Sequence, residues 1–488
     1  MTQTDSEFFP DTDSNSTLSI NSRNDFQLND SDSDLESIST ELQTISPDEY
    51  AELTLTAYEI MEDYAKQNIL SMSSPQFYTN MADYVVEILY TDILCSTTND
   101  PDIDLLDAYT LDEIREFVFQ TMEVWKEIYH LPMRSCQSYV SESCCHTNTS
   151  MKTKIAALQS IDQPEQKTRE WYEFRYNLIT ASNLWKALGT QSQINSLIYE
   201  KCKPNDVGIQ ESRNVCTEGP MHWGVKYEPV TVQIYEHMFN TRIGEFGCIP
   251  HPTYPCIGAS PDGINIDPSN PRYGRMLEIK NIVNRDITGI PKEEYWIQTQ
   301  IQMETCDLDE CDFVETRIKE YENEDAFYGD CDSTRQYRGV ILQFIERPPM
   351  IITEQTQLSN KPYYVYMPLT NALTKDSICA WSADQCKHMN LENKVLFAQK
   401  YWYLDEISCV LIQRNREWFA SAVPHIQHVW DTIVRERVEG YEHRASKKRT
   451  VKDRSMSMLS DDGDGGRLRT NNIAPLCLIR LDENGNVV

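Results

Sequence analysis

The stretch that most limits how this chain can fold is RMLEIKNIV, residues 275–283. Its apolar residues mark a strand, and strand side chains point to opposite faces in turn. Met276, Glu278 and Lys280 therefore share one face, and Leu277 and Ile279 the other. Glu278 and Lys280 stand about 6.5–7 Å apart along the strand. A charged pair in so apolar a strand is costly unless something replaces the lost water. Just upstream, CIGASPDGINID (256–267) contains a Pro-Asp-Gly turn. If the chain to Arg275 folds back as a hairpin, Asp262 arrives beside Glu278 and Lys280. Asp267 is the rival carboxylate, but Asp-Pro-Ser-Asn-Pro reads as turn chemistry and puts it at the loop tip. Asp262 and Glu278, with a backbone carbonyl such as that of Ile279, make an oxygen-donor set suited to Mg²⁺. Such an ion would polarise a phosphoryl group, while Lys280 would orient a water and stabilise charge on phosphorus. That chemistry suits phosphodiester hydrolysis. On these residues alone, the competing reading is an ordinary hairpin with an ion pair on one strand face.

At 488 residues the chain is long enough for two or three units. Residues 1–45 are rich in Ser, Asp, Asn and Thr and read as a disordered acidic tail. From 46 to 135 the pattern is helical. Ser46-Pro47-Asp48-Glu49 reads as a helix start, and Leu111, Ile114, Val118, Met122 and Trp125 form an apolar stripe. No constellation of chemistry-bearing residues appears there. Residues 136–160 read as a linker, and 161–440 as a mixed α/β domain alternating helical and strand patterns. The helices expected include TREWYEFRYNL, ASNLWKAL, HWGVKYEPVTVQIYEHMF, PKEEYWIQTQIQMETC and a closing REWFASAVPHIQHVWDTIVRERVE. The strands expected include GRMLEIKNIV, YRGVILQFI, KPYYVYMPL and YWYLDEISCVLIQ. Residues 441–488 read as a mostly disordered tail with a basic cluster at 444–454.

The net charge of −32 argues against a nucleic-acid partner, since phosphate backbones attract Lys and Arg. The first 49 residues, however, hold about a dozen acids and one base, Arg23, and distort the global value. Acids and bases roughly balance between 165 and 260. No run of about 18 apolar residues occurs, so no membrane-spanning helix is expected. The N-terminus lacks a basic start followed by an apolar stretch, so the expectation is an unsecreted, intracellular protein. Its 15 cysteines are then reduced thiols rather than a disulfide framework.

Asp262 after Pro261, followed by Glu278-Ile279-Lys280, resembles the PD-(D/E)XK nuclease signature. Three further blocks narrow the resemblance to its lambda-exonuclease-like branch, which includes YqaJ-type viral recombinases. These are WYEFRYNLITASNLWKALG, then GVKYE from Gly224 to Glu228, and finally YWIQTQIQME. All four blocks stand in the family's order, and with flanking strands the resemblance covers about 165–440. It implies a restriction-endonuclease-like α/β (α+β) core, a mixed central sheet flanked by helices. The implied function is a metal-dependent deoxyribonuclease, a 5′→3′ exonuclease on duplex ends serving viral recombination, replication or repair. Alternatives are an endonuclease of the same superfamily and a non-catalytic DNA-binding protein that kept the fold.

By the same resemblance, Asp262, Glu278, Lys280, Glu228 and Gln298 are the catalytic candidates. Asp262, Glu278, Glu228 and the Ile279 carbonyl would hold one or two Mg²⁺ ions, with Mn²⁺ as a substitute. Arg175, Thr180, Ser182 and Ser260 would receive the 5′-phosphate. Independently, Ser182 reads as the cap of a helix ending near Gly189, a natural phosphate seat beside an arginine. The ordinary reading of that block is a plain cap and a surface arginine. Glu228, followed by Pro229, is expected at an early or kinked helical turn. Gln298 and Gln302 share a helix face with Tyr295, while Gln300 points elsewhere. Partners implied by the family are double-stranded DNA with accessible ends, a single-strand annealing protein and a trimeric ring; a viral origin fits the resemblance.

Overall fold

A computed structural model describes residues 47–97, 111–128, 134–139, 148–162, 164, 168–204, 219–347 and 361–445. The tail expectation for 1–45, and that for 441–488 from residue 446 on, lie outside the described residues; before that a short 3₁₀ turn forms at Glu442–Arg444. The helical segment begins with α1 (Pro47–Gln67), followed by a 3₁₀ turn at Ile69–Ser73. Two more helices follow, α2 (Phe77–Thr97) and α3 (Leu111–Ile128). The predicted stripe holds in α3, where Ile114, Val118, Met122 and Trp125 are buried, together with Phe117. Leu111 departs from it and is exposed at the first turn.

The segment 136–160, expected as a linker, carries structure. Strand β1 (Cys136–Gln137) and helix α4 (Asn148–Ser160) lie within it. Both are held by long-range contacts that its polar composition hides: β1 pairs with a strand near residue 410, and Ile155 and Leu158 are buried in the main core.

The next elements are α5 (Arg169–Tyr176), β2 (Ile179–Thr180), α6 (Ala181–Leu188), α7 (Gln191–Cys202) and α8 (Pro220–Phe239). Then come β3 (Ile243–Gly244), β4 (Ile249–Pro250), β5 (Ile257–Ala259), β6 (Gly263–Asn265) and β7 (Met276–Asn281). Helix α9 (Glu293–Cys306) leads to β8 (Glu310–Glu320), α10 (Glu324–Gly329), β9 (Arg338–Glu346) and β10 (Tyr363–Tyr366). The last elements are α11 (Lys375–Leu391), β11 (Lys394–Gln413) and α12 (Arg416–Glu439).

The result is a mixed α/β fold. Its large sheet runs β10-β9-β11-β8-β7-β6-β3, with β1 joined to β11, and a small sheet runs β2-β5-β4. In the large sheet β7 and β8 are parallel and the other pairs antiparallel. The parallel pair requires a crossover, and α9 supplies it, lying against β5 and the catalytic-candidate strand. Leu277 and Ile279 pack with Tyr235 of α8 and Val314 of β8, so α8 covers one face of β7 and α9 the other. The main core is continuous from α1–α3 into α6, α9 and α12.

Central strand β8 escapes a reading of the sequence because Asp312 and Glu315 interrupt its apolar pattern. Both are buried and paired with arginines far away in sequence. Helix α11 is likewise not among the expected helices.

Candidate active site

The hairpin forms as the sequence requires. Gly263 pairs with Leu277 and Ile264 with Met276, which sets Asp262 opposite Glu278. A Cβ on Gly263 would collide with Ile243 Cγ2, so a glycine must follow Asp262 if β6 is to lie against β3. The Ile279 amide donates to Asp262 Oδ2 at 2.7 Å, tying the turn to the middle of β7. Asp267 lies instead in its own turn, accepting from the Ser269 amide and hydroxyl.

Glu278 is completely buried. Its Oε1 accepts from Lys280 Nζ and from Gln298 Nε2, the latter at 2.7 Å; its Oε2 accepts from Gln302 Nε2 at 2.7 Å. Gln302 Nε2 also donates to the Ser260 carbonyl at 3.2 Å, while its buried Oε1 has no partner. Gln300 points away, donating to the Gln413 carbonyl and accepting from the Asn415 amide. The i, i+4 spacing of Gln298 and Gln302 is visible in the sequence. Only the fold reveals that both amides close on one carboxylate.

Glu228 approaches from α8. This helix runs on through Pro229 rather than starting there, although proline removes the N–H that would reach the Val225 carbonyl. Asn281 fastens this helix to β7: its side-chain oxygen accepts from Thr231 and Thr316, and its amide donates to the Gly224 carbonyl.

Burial pushes the Asp262 carboxyl well above its usual range; the charges of Glu278 and Glu228 add to this, against Lys280 and the Ile279 N–H. Burial also raises Glu228, and the Glu278 charge raises it further. For Lys280, burial opposes the charged form, yet the Glu278 and Asp262 charges and the Glu278 hydrogen bond outweigh it, so the net shift is upward. The ammonium also lies 4.9 Å from the Tyr295 ring centre. Three carboxylates thus share the neighbourhood of one lysine.

Among the described residues no three His, Cys, Asp or Glu side chains are gathered tightly enough to enclose an ion by themselves. The donor chemistry nonetheless fits Mg²⁺, which takes one or two carboxylates and keeps several waters. Asp262 and Glu228, raised by burial first and by the Glu278 charge second, are the groups whose ionisation a cation would favour.

The phosphate-seat candidates gather next to this centre. Strand β2 pairs with β5, Thr180 opposite Gly258, and the chain leaves β5 through Ser260 to Asp262. The α6 cap is Thr180, not Ser182. Strand pairing holds Ile179–Thr180 extended, so the helix begins at Ala181 and Ser182 stands exposed in its first turn. The two hydroxyls lie 3.2 Å apart. Helix α6 ends at Leu188 before Gly189, as expected. Arg175 stacks 4.5 Å over the Trp171 ring, and among the described residues no carboxylate pairs with it.

Sequence reasoning does not find Lys201, whose Nζ donates to the Arg175 carbonyl at 2.8 Å. Burial pushes the Lys201 ammonium down to about 8; Glu200 opposes this and the Arg175 and Arg437 cations add to it. Cys248, raised by burial and hydrogen-bonded to Ser260, feels both Arg175 and Lys201. No local pattern marks Lys201, because only tertiary packing on α5 brings it there.

A turn sets an aspartate against a Glu-X-Lys strand, with glutamines reaching across to the glutamate, which is the arrangement expected from the resemblance to the PD-(D/E)XK signature. Residues 170–309 match the family model described as a YqaJ-like viral recombinase domain. It is 27% identical over 308 residues to uncharacterized protein R354 of Acanthamoeba polyphaga mimivirus, covering 58% of this chain and 55% of that protein. The chain thus spans about half the length of the curated relative it matches. Among solved structures it is similar to an alkaline exonuclease from Laribacter hongkongensis, at 18% identity and a TM-score of 0.32, over 55% of this chain and 94% of that one. The same exonuclease in complex with dAMP gives 18% identity and a TM-score of 0.31, over 57% and 95%. No helix among the described residues is long and apolar enough to cross a membrane.

Proposed function

We propose that the chain is a divalent-metal-dependent deoxyribonuclease that digests duplex DNA from its ends, 5′ to 3′. The observation that supports it most is the meeting of Asp262, Glu228 and Glu278 around Lys280. Asp262, Glu278 and Glu228 would hold one or two Mg²⁺ ions, or Mn²⁺, with the Ile279 carbonyl as a further donor. When bound, such a cation neutralises phosphoryl charge and lowers the pKa of a nearby water.

The chain's own residues supply the rest. Lys280, kept protonated by its carboxylate neighbours, is a donor and a positive charge, not a base; it orients the attacking water and stabilises charge on phosphorus. Gln298 and Gln302 fix the Glu278 carboxylate from behind, so its orientation does not depend on the substrate. Arg175, Thr180, Ser182 and Ser260 form a seat for a terminal 5′-phosphate, which selects ends over interior bonds. This reading extends to a viral recombination role with an annealing partner and a ring assembly.

The test uses 5′-phosphorylated linear duplex, 5′-hydroxyl duplex and closed circles, each with Mg²⁺ or EDTA. Mg²⁺-dependent loss of linear DNA alone, faster with the phosphate, is the expected outcome. Nicked circles would replace the exonuclease reading by an endonuclease. No cleavage of any substrate with either Mg²⁺ or Mn²⁺ would refute the enzymatic reading.

A further inference from the structure

Among the described residues the helical region before residue 135 gathers no metal-holding cluster, yet it meets the chain where α9 begins. Arg134 is 4% exposed. Its guanidinium donates to the Ser73 carbonyl at 3.0 Å and the Pro291 carbonyl at 2.5 Å. Ser73, at the end of the 3₁₀ turn and equally buried, donates its hydroxyl to Glu293 Oε1 at 2.8 Å. In return, Trp296 Nε1 donates to the Arg134 carbonyl at 2.8 Å. Trp296 also meets Trp418 edge-on at 5.1 Å, and Trp418 Nε1 donates to the Leu70 carbonyl at 3.2 Å. Pro291, Glu293 and Trp296 are therefore all held by residues 70–134.

This arrangement has a physical consequence. An α-helix start carries unsatisfied N–H groups and few constraints, so it frays unless something fixes it. Gln298 lies five residues after Glu293, roughly 7.5 Å along the axis, and Gln302 one turn further. The same first turn thus sets where the two amides that hold Glu278 will stand. Burial pulls the Arg134 guanidinium down to about 10, with Glu293 opposing; a cation kept at that cost needs a positional purpose more than a stabilising one.

We propose that Arg134 and Ser73 are positioning residues of the candidate active site: through them the N-terminal helical region clamps the first turn of α9 and so aims Gln298 and Gln302 at Glu278. The catalytic half of this proposal rests on the nuclease reading; the clamp itself does not.

The experiment uses full-length Ser73→Ala, Glu293→Ala, their double variant, Arg134→Met and Arg134→Lys. Each is assayed for kcat and KM on 5′-phosphorylated duplex and for amide hydrogen exchange in residues 293–306 and 416–439. Arg134→Met is expected to lower kcat by on the order of 10²-fold, as a misplacement near 1 Å can, with KM nearly unchanged. Arg134→Lys, which keeps one donor to the carbonyls, recovers part of that loss. Ser73→Ala and Glu293→Ala each cost roughly fivefold, and the double variant no more than either, because all three break one contact. Exchange accelerates in 293–306 and not in 416–439. If Arg134→Met does not fold, Ser73→Ala decides the matter. Unchanged kcat with unchanged exchange in 293–306 overturns the proposal, as does a loss in which both segments open together. If the unaltered protein cleaves no DNA, the nuclease reading falls, and the clamp is judged by exchange alone.

Discussion

Replacing Asp312 by Asn should destabilise the protein severely, and the structure says which partner suffers. Asp312 is completely buried on β8. Its Oδ2 accepts from Tyr235 at 2.6 Å and Arg272 at 2.5 Å, and its Oδ1 from Ser138 at 2.7 Å and Arg275 at 3.2 Å. An asparagine offers one oxygen in place of two, so its amide must face either Arg272 and Tyr235 or Ser138 and Arg275. Arg275 has a second carboxylate, Glu310, at 2.7 Å. Among the described residues Arg272 keeps only Ser138 and the Phe239 ring, at 3.9 Å. The variant therefore leaves a buried guanidinium without a counter-charge, a change worth about 3–5 kcal/mol against a total of about 5–15 kcal/mol. At about 2 °C per kcal/mol for a large domain, Tm falls by roughly 6–10 °C. Both arginines belong to the return of the hairpin that delivers Asp262, so nuclease activity falls with it. Thermal melts by circular dichroism measure the loss. Asp312→Leu combined with Arg272→Met, which removes both charges, should recover most of it. A melting point for Asp312→Asn within a degree of the unaltered protein would refute the reasoning, as would a double variant that melts below Asp312→Leu alone.

Lys280→Met should reduce cleavage at least about 10²-fold while leaving DNA affinity, read by fluorescence anisotropy, within about twofold. Because Lys280 is shifted upward, its deprotonation does not limit activity at mildly alkaline pH. Asp262→Asn should abolish cleavage yet raise Tm in EDTA at pH 8. The raised carboxyl binds its proton more tightly in the fold than in the unfolded chain, so its contribution to stability is full below the unfolded value near 4 and is lost as pH rises through the folded one. Scanning fluorimetry from pH 5 to 9 should show the gain growing with pH and shrinking when Mg²⁺ is added. Arg175→Ala should equalise the rates on 5′-phosphate and 5′-hydroxyl ends. In the unaltered protein that preference should weaken as pH passes about 8, where Lys201 loses its proton, and Lys201→Met should remove this pH dependence.

Residues whose partners lie within one turn or one strand are legible in the amino-acid sequence alone. Asp262 meets Glu278 because a turn and a two-residue alternation leave little freedom, and Gln298 shares a face with Gln302 because a helix repeats every 3.6 residues. What the sequence hides depends on long-range partners. Strand β8 looks too charged for a central strand until Arg272, Arg275 and Arg285 are seen to arrive from other segments. The α6 cap falls at Thr180 instead of Ser182 because Ile179 and Thr180 are held by β5, far along the chain. Lys201 carries no local signal at all. The segment 136–160 looks like a connection because its few apolar residues give no hint that Cys136 pairs with Leu411.

These long-range arrangements share a logic with the site they surround. Asp262 and Glu228 are held near Glu278 although burial and the Glu278 charge raise each one's cost of ionising, and the single Lys280 ammonium faces all three carboxylates. Such an arrangement would relax apart unless its elements were pinned. The hairpin is pinned by the Asp312 network, α8 by Asn281 and the start of α9 by Ser73 and Arg134. Each pin is a buried polar contact of a kind that adds little net stability but permits one geometry. Removing a pin should therefore let the carboxylates separate, which lowers cleavage and at the same time relieves repulsion. A pin variant should lose more activity than its loss of stability predicts, and Asp262→Asn, which removes the repulsion itself, should widen the stability difference between pinned and unpinned proteins, because unpinning then relieves nothing.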